Sequence, residues 1–484
     1  MTVAGYEEDS STPSKRMGNK YTKDGQLLSG IWRNWGTALV VAVPVLLILA
    51  ILALLPRGGD SALDFSRATE PLGRVGGALK HKQSAAAAAE EKFAIVVDAG
   101  STGSRVHIFK FLVVDGALEL QFDKFEQLRP GLSSYAEDPP AAAASLKPLL
   151  DLALETVPQP LQASTHVMVG ATAGLRLLPD GKADIILGEV RKWLRAGYPF
   201  AFEDGDVKIL SGVDEGAFAW LTLNYLLGNL GKKEHETVAS IDLGGGSVQE
   251  AFAMTDEEAK EAPDASYVTQ LKGGGRAYSV YVYSYLGYGL MAGRAAVLSE
   301  AKEEHPCVPT GYSGEYEYGG KKYSMVGHSE APSHDKCSAT VLSALKHATE
   351  CGAPKLQCTF NGAWGGNRVP DVFYVSSYFW DRATDAGLVT QEDAIQQQLT
   401  PKHFADMARQ VCPAKLEELA TTFPKVQEIH RPFFCLDLSY AHTLLTEGFD
   451  IPETTTITLV KKVQYKGEQV EAAWPLGAAI NLLG

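Results

Sequence analysis

Phe93-Ala94-Ile95-Val96-Val97-Asp98-Ala99-Gly100-Ser101-Thr102-Gly103-Ser104-Arg105 is the stretch on which the reading of the whole chain turns. An unbroken apolar run of this kind fits a strand buried on both faces, and the Asp, Gly and small hydroxyl residues after it fit a tight turn. A second apolar run, Val106 to Phe111, leads away from that turn. The same order recurs where Val238-Ala239-Ser240-Ile241 enters Asp242-Leu243-Gly244-Gly245-Gly246-Ser247 and continues as Val248 to Phe252. One such turn is ordinary, because Asp, Gly and Ser favour turns for local reasons. Two at matching positions, roughly a domain length apart, predict two related lobes, each offering a phosphate-sized loop to a shared cleft.

Glycines let a backbone approach an anion and point successive N–H groups at it, and Ser101, Thr102, Ser104 and Ser247 add hydroxyl donors. Asp98 and Asp242 stand at the mouths of the strands; either can simply cap its turn, but two carboxylates beside phosphate loops call for a hard divalent cation, Ca²⁺ or Mg²⁺. A third apolar run, Val167-Met168-Val169, ends in Gly170-Ala171-Thr172-Ala173-Gly174. After Val207-Lys208-Ile209-Leu210 comes Ser211-Gly212-Val213-Asp214-Glu215-Gly216, then an apolar stretch to Gly228 with Phe218, Leu221 and Tyr225 on one helical face. Glu215 thus opens a helix, where a carboxylate stabilises the dipole by a few tenths up to about 1 kcal/mol. Beside a metal-phosphate site the same residue is a candidate general base for water.

Around these loops the chain has 484 residues, enough for two or three folding units, with 45% hydrophobic and 21% charged residues, a globular composition. Its 44 Lys+Arg against 58 Asp+Glu leave a formal charge of −14, the wrong sign for binding nucleic acid through a general field. An anionic substrate therefore needs a local device. The common P-loop, hydrolase-elbow, zincin and dinucleotide signatures are absent from the sequence, and Gly273-Gly274-Gly275 reads as a turn.

Residues 1–36 read as a polar cytosolic tail, and Thr37 to Leu55 as an uncharged span just long enough to cross a bilayer core. The long polar leader favours a signal anchor over a cleaved signal peptide, and Pro44 fits a membrane helix better than a soluble one. Basic residues flank both ends of the span, so charge does not orient it. Residues 56–91 read as a stalk, and from Lys92 apolar runs alternate with helical stretches, an α/β pattern. All six cysteines, Cys307, Cys337, Cys351, Cys358, Cys412 and Cys435, follow the span; without C-x-x-C spacing they point to disulfides in an oxidising lumen rather than to zinc. No N-x-[ST] acceptor supports that location.

Taken in order, these motifs resemble the apyrase family, the nucleoside triphosphate diphosphohydrolases and diphosphatases. AIVVDAGSTGSR (94–105), VGATAGLRLL (169–178), SGVDEGAFAWLTLNYLLG (211–228), DLGGGSVQEAF (242–252) and AAWPLGAAI (472–480) are similar to its successive conserved regions. PGLSSYA, SYLGYGL and FNGAWGG resemble the plant-like branch, and the likeness runs from about residue 92 to the C-terminus. Gly246 and Val248 stand where many members have Ala and Thr, changes small enough to keep the loop.

The resemblance implies a two-lobed actin/sugar-kinase/heat-shock-ATPase-like fold, with lobe I formed by 92–212 and 465–484 and lobe II by 213–464. It implies water-mediated metal binding by Asp98 and Asp242 with Thr172 near the same shell. Phosphates would be held by Gly100, Ser101, Thr102, Gly103, Ser104, Arg105, Thr172, Gly244, Gly245, Gly246 and Ser247. Glu215 would be the base, Ser247 and Gln249 would orient the attacking water, and no covalent phosphoenzyme would form. The nucleotide base would lie among aromatics of the second lobe, with Phe373, Tyr374, Tyr378 and Phe379 as candidates, each equally explicable as core. Cys307–Cys337, Cys351–Cys358 and Cys412–Cys435 would pair. A single-pass type II protein of the Golgi or another endomembrane is expected, the cell surface being the alternative. Rival readings are a related kinase or polyphosphatase and a non-hydrolysing nucleotide or glycan receptor; base preference, the choice between di- and triphosphate, and protein partners are not legible.

Overall fold

The computed structural model describes residues 90–484 apart from 101–102, 177, 302–303, 353–357 and 368. The expected tail, the Thr37–Leu55 span and nearly all of the stalk lie outside the described residues, as do Ser101 and Thr102. Among the described residues no helix is long and apolar enough to cross a membrane.

The first sheet has the order β3 (Ala117–Leu128), β2 (Ser104–Val114), β1 (Glu90–Ala99), β4 (His166–Ala171), β5 (Val207–Ile209). β1 opens at Glu90 rather than Lys92 because the two glutamates continue the antiparallel ladder opposite Val113 and Leu112, and Glu91 takes an ion pair from Lys110 at 2.6 Å. The second sheet contains β6 (Ala239–Leu243), β7 (Ser247–Met254), β8 (Val268–Gly273), β9 (Arg276–Leu286), and, beyond the β10 (Ser313–Tyr318) and β11 (Lys321–Val326) hairpin, β12 (Phe373–Ser377), β13 (Gln396–Leu399) and β14 (Ile457–Val460). A last hairpin, β15 (Lys462–Tyr465) and β16 (Glu468–Glu471), precedes the C-terminal helix.

The duplication read from the two Asp-x-Gly turns is present in the topology. β3-β2-β1-β4-β5 in one sheet corresponds to β9-β7-β6-β12-β14 in the other. In both, the turn joins an antiparallel pair, and two parallel strands follow on the other side. Parallel central strands are covered on both faces, which is why β1 is apolar without alternation. Phe93, Ile95 and Val97 enter one core with the Lys147–Thr156 and Lys182–Gly197 helices, while Ala94 and Val96 enter another between the sheets.

Two helices fill that middle layer, Gly212–Leu226 and Trp474–Leu483. The first is buried on nearly all sides rather than on the single Phe218-Leu221-Tyr225 face, because both sheets pack on it. A Cβ at Gly477 would fall 2.1 Å from the Phe218 carbonyl oxygen, so glycine sets the close crossing of the two helices. Thr222 ties them by donating to the Ala473 carbonyl at 2.8 Å and accepting from the Gly477 N–H at 2.7 Å. The outer face of the second sheet carries a large core and the disulfides Cys307–Cys337, Cys351–Cys358 and Cys412–Cys435, which leave no free cysteine. Gly274 and Gly275, both with positive φ, make the β8–β9 turn.

Candidate functional site

The loops after β1, β4, β6 and β12 converge on a cleft of about 310 Å³ lined by residues of both sheets. Both Asp-x-Gly turns close in the same way. The Gly100 N–H donates to the Gly103 carbonyl at 3.0 Å, and the Gly244 N–H donates to the Ser247 carbonyl at 3.0 Å. Asp98 faces Arg105 across its hairpin, and Asp242 faces Gln249 across the other.

The second turn is pinned from behind. The carbonyls of Gly244 and Gly245 accept from the N–H groups of Leu290, Met291 and Ala292, the opening of the Leu290–Leu298 helix, and the Gly246 carbonyl accepts from Gly287. A Cβ on Gly289 would lie 2.4 Å from the Ser247 nitrogen, so only glycine allows this approach. Gly244, Gly245 and Gly246 all line the cleft, and with the Gly244 N–H taken by the turn it is the N–H groups of Gly245 and Gly246 that are left for an anion.

Burial raises the carboxyls of both Asp98 and Asp242 above the ordinary aspartate range. Arg105 opposes this at Asp98, donating to Oδ2 at 3.1 Å, while Oδ1 is buried without a hydrogen-bond partner among the described residues. At Asp242 the hydroxyls of Ser377 and Ser376 oppose it, Ser376 donating at 3.1 Å. No group of three or more His, Cys, Asp or Glu among the described residues is gathered as a metal cage. A cation held by the two aspartates would therefore complete its shell with water and substrate oxygens.

Glu215 stands in the first turn of the Gly212–Leu226 helix, whose Ser211 cap accepts from the Asp214 N–H at 3.0 Å. Burial pushes its carboxyl up to about 8; Arg176 pulls it down, and Asp242 and Asp98 add to the rise. Arg176 donates to the Oε2 of Glu215 in a part-buried ion pair. Gln249 Nε2 lies 2.7 Å from the Ser247 hydroxyl and 3.4 Å from the same Glu215 oxygen. The structure thus brings Glu215, Ser247 and Gln249 into one polar cluster; Glu215 and Ser247 line the cleft with Asp98, Asp242, Thr172, Gly100 and Arg105, while Gln249 is buried directly behind them.

Other expected residues lie elsewhere. Gly103 and Ser104 are buried and do not line the cleft: a Cβ on Gly103 would meet the Leu128 carbonyl at 2.7 Å, and Ser104 alternates with the cleft-facing Arg105. Of the four aromatic candidates only Tyr378 lines the cleft. Phe373 and Phe379 are buried in the outer core and Tyr374 packs into the middle layer, so their rings are occupied by packing rather than offered to a base. Arg176 and Ser284 stand outside the motif-based expectations. Arg176 carries a sequence signal, a charge four positions beyond Thr172 in an otherwise apolar segment. Ser284, within SYLGYGL, carries none, since its partners are set by strand register.

The GDA1/CD39 (nucleoside phosphatase) family model matches residues 84–484. Probable apyrase 1 of Oryza sativa subsp. japonica is 42% identical over 467 residues, covering 93% of this chain and 94% of that protein. Guanosine-diphosphatase of Saccharomyces cerevisiae is 36% identical, with 84% and 83% covered. The crystal structure of nucleoside triphosphate hydrolases from Neospora caninum superposes with a TM-score of 0.57 at 15% identity, covering 81% of this chain and 92% of that one, a likeness of fold.

Proposed function

The chain belongs to the GDA1/CD39 (nucleoside phosphatase) family and is a nucleoside phosphohydrolase; we propose that its cleft removes the terminal phosphate of nucleoside di- and triphosphates by direct attack of water. The observation that carries this mechanism is the contact of Gln249 with both Glu215 and Ser247 between two phosphate-sized turns. Glu215 takes one proton from the water as its oxygen bonds to the terminal phosphorus. The bridging P–O bond breaks, and its electron pair leaves with the shortened nucleotide. Ser247 and Gln249 orient the water, and no side chain becomes phosphorylated. Catalysis of this kind rests on positioning and charge neutralisation, as expected for phosphoryl transfer.

The N–H groups of Gly245 and Gly246, with Arg105 and Thr172, hold the phosphates, while Gly100 and Gly244 line the cleft with their own N–H groups closing the turns. Asp98 and Asp242 fit a hard divalent cation: both are part-buried carboxyls on one cleft, and Asp98 Oδ1 has no hydrogen-bond partner among the described residues. Ca²⁺ or Mg²⁺ held there would neutralise phosphate charge. Of the aromatics expected to meet the nucleoside, Tyr378 is the one on the cleft, which Trp380 and Trp474 also line. Three disulfides support folding in an oxidising compartment, and the uncharged Thr37–Leu55 stretch supports a signal anchor, hence a type II membrane protein of the Golgi or another endomembrane. The test is phosphate release by the full-length protein from ADP, GDP, UDP and ATP, with Ca²⁺ or Mg²⁺ supplied. Release from one or more nucleotides is expected; none from any of them would overturn the reading.

A further inference from the structure

Gln249 reaches more acceptors than its amide can serve. Its Nε2 lies 2.7 Å from the Ser247 hydroxyl, 2.9 Å from the Ser284 hydroxyl and 3.4 Å from Glu215 Oε2, but carries only two hydrogens. Turning the amide over would set its carbonyl oxygen against the Glu215 carboxylate, two acceptors face to face. The two nearest partners are the hydroxyls, so Ser247 and Ser284 together fix which way the amide points. Oε1 of Gln249 accepts no hydrogen bond from a described residue and is the end left for a water.

Ser284 is placed for this by register. It stands directly opposite Gln249 in the β7–β9 ladder and shares its face. It also packs closely on the start of the helix bearing Glu215: a Cβ on Gly212, the first residue of that helix, would fall 2.1 Å from the Ser284 hydroxyl and 2.8 Å from Arg176 Nη1. Neither Ser284 nor Gln249 is among the side chains that line the cleft; Gln249 touches Ser247 and Glu215, which do, whereas Ser284 reaches them through Gln249.

We propose that Ser284 is a positioning residue for hydrolysis, holding the Gln249 amide so that its carbonyl accepts one proton of the attacking water while Glu215 takes the other. This leaves an oxygen lone pair of the water for phosphorus, and it rests on the hydrolytic reading of the cleft.

The test is a double-mutant cycle on the full-length protein, reading kcat and KM for phosphate release with Ser284→Ala, Gln249→Ala and both. Loss of one neutral hydrogen bond corresponds to a fall of about two- to tenfold in kcat for Ser284→Ala, with KM within about twofold of the parent. In the Gln249→Ala background the same change has less than about a twofold effect, because the group it positions is gone. Parent-like kcat in Ser284→Ala, a loss confined to KM, or an equal loss in both backgrounds overturns the proposal. Should Ser284→Ala lose its melting transition, Ser284→Cys, similar in size but a weak acceptor, is put through the same cycle and must show the same dependence on Gln249. An inactive parent protein would instead sink the hydrolytic reading, whereas an active parent with an additive cycle sinks only the role of Ser284.

Discussion

Arg105 stands opposite Asp98 in the first hairpin where Gln249 stands opposite Asp242 in the second. The duplicated strand-turn-strand unit has therefore kept its carboxylate and its turn in both copies and diverged at the facing position. One copy presents a permanent cation, suited to an anionic substrate. The other presents a neutral amide beside the base, suited to a water molecule.

Replacing the cation tests that division of labour. Arg105→Gln removes a charge-assisted partner of phosphate, so nucleotide affinity falls by about tenfold or more, in line with roughly 1.5–3 kcal/mol for hydrogen bonds to charged groups. Calorimetric titration of nucleotide into the parent and variant reads it directly. Equal affinity would remove Arg105 from phosphate binding.

Gly289 tests the pinned loop. Its Cα packs where a Cβ would meet the Ser247 nitrogen at 2.4 Å and the Gly244 carbonyl oxygen at 2.6 Å, both backbone atoms that cannot swing aside. Gly289→Ala should cost about 1–3 kcal/mol in stability as an overpacking change and lower turnover by displacing the Gly244–Ser247 turn. A melting curve and a rate measurement on the same sample check both; parent-like values in each would show that the helix start does not hold the turn.

Glu250 gives a pH dependence outside the catalytic cluster. Burial alone pushes its carboxyl from the ordinary 4.5 to about 8, and Oε2 has no hydrogen-bond partner among the described residues. Because the folded value lies above the unfolded one, the folded chain binds the extra proton between them. The associated stability is fully present below about pH 4.5 and lost as pH rises through about 8. The melting temperature should fall between about pH 5.5 and about pH 8.5 by this contribution. Glu250→Gln, neutral throughout, should flatten the fall, melting near the parent at the acid end and above it at the alkaline end. Parallel curves for the two proteins would show that the carboxyl is already satisfied as an anion.

The parts of the site that local chemistry dictates are legible in the amino-acid order alone. Asp98, Gly100, Asp242 and Gly244 announce themselves because a strand must stop and turn there, and Glu215 because a capped helix must begin. The repeat of the turn carries the paired sheets with it. What distant chain segments bring together is not legible. Arg176 meets Glu215 and Ser284 meets Gln249 only through the packing of strands and helices far apart in sequence. Which aromatic candidates reach the cleft is hidden for a related reason: Phe373 and Phe379 are apolar at positions where a buried parallel strand and the helix after it need core, and composition does not separate a ring that packs from one that, like Tyr378, lines the cleft.

The measurement that bears most directly on the account is phosphate release at saturating nucleotide by the parent and by Glu215→Gln, with nucleotide binding measured alongside. The parent should release phosphate, and the variant should bind nucleotide about as well while turning over at least about a hundredfold more slowly, the low end of what a general base contributes. Equal turnover in the two proteins would contradict the assignment of Glu215, and with it the water-attack mechanism built around its contact with Gln249.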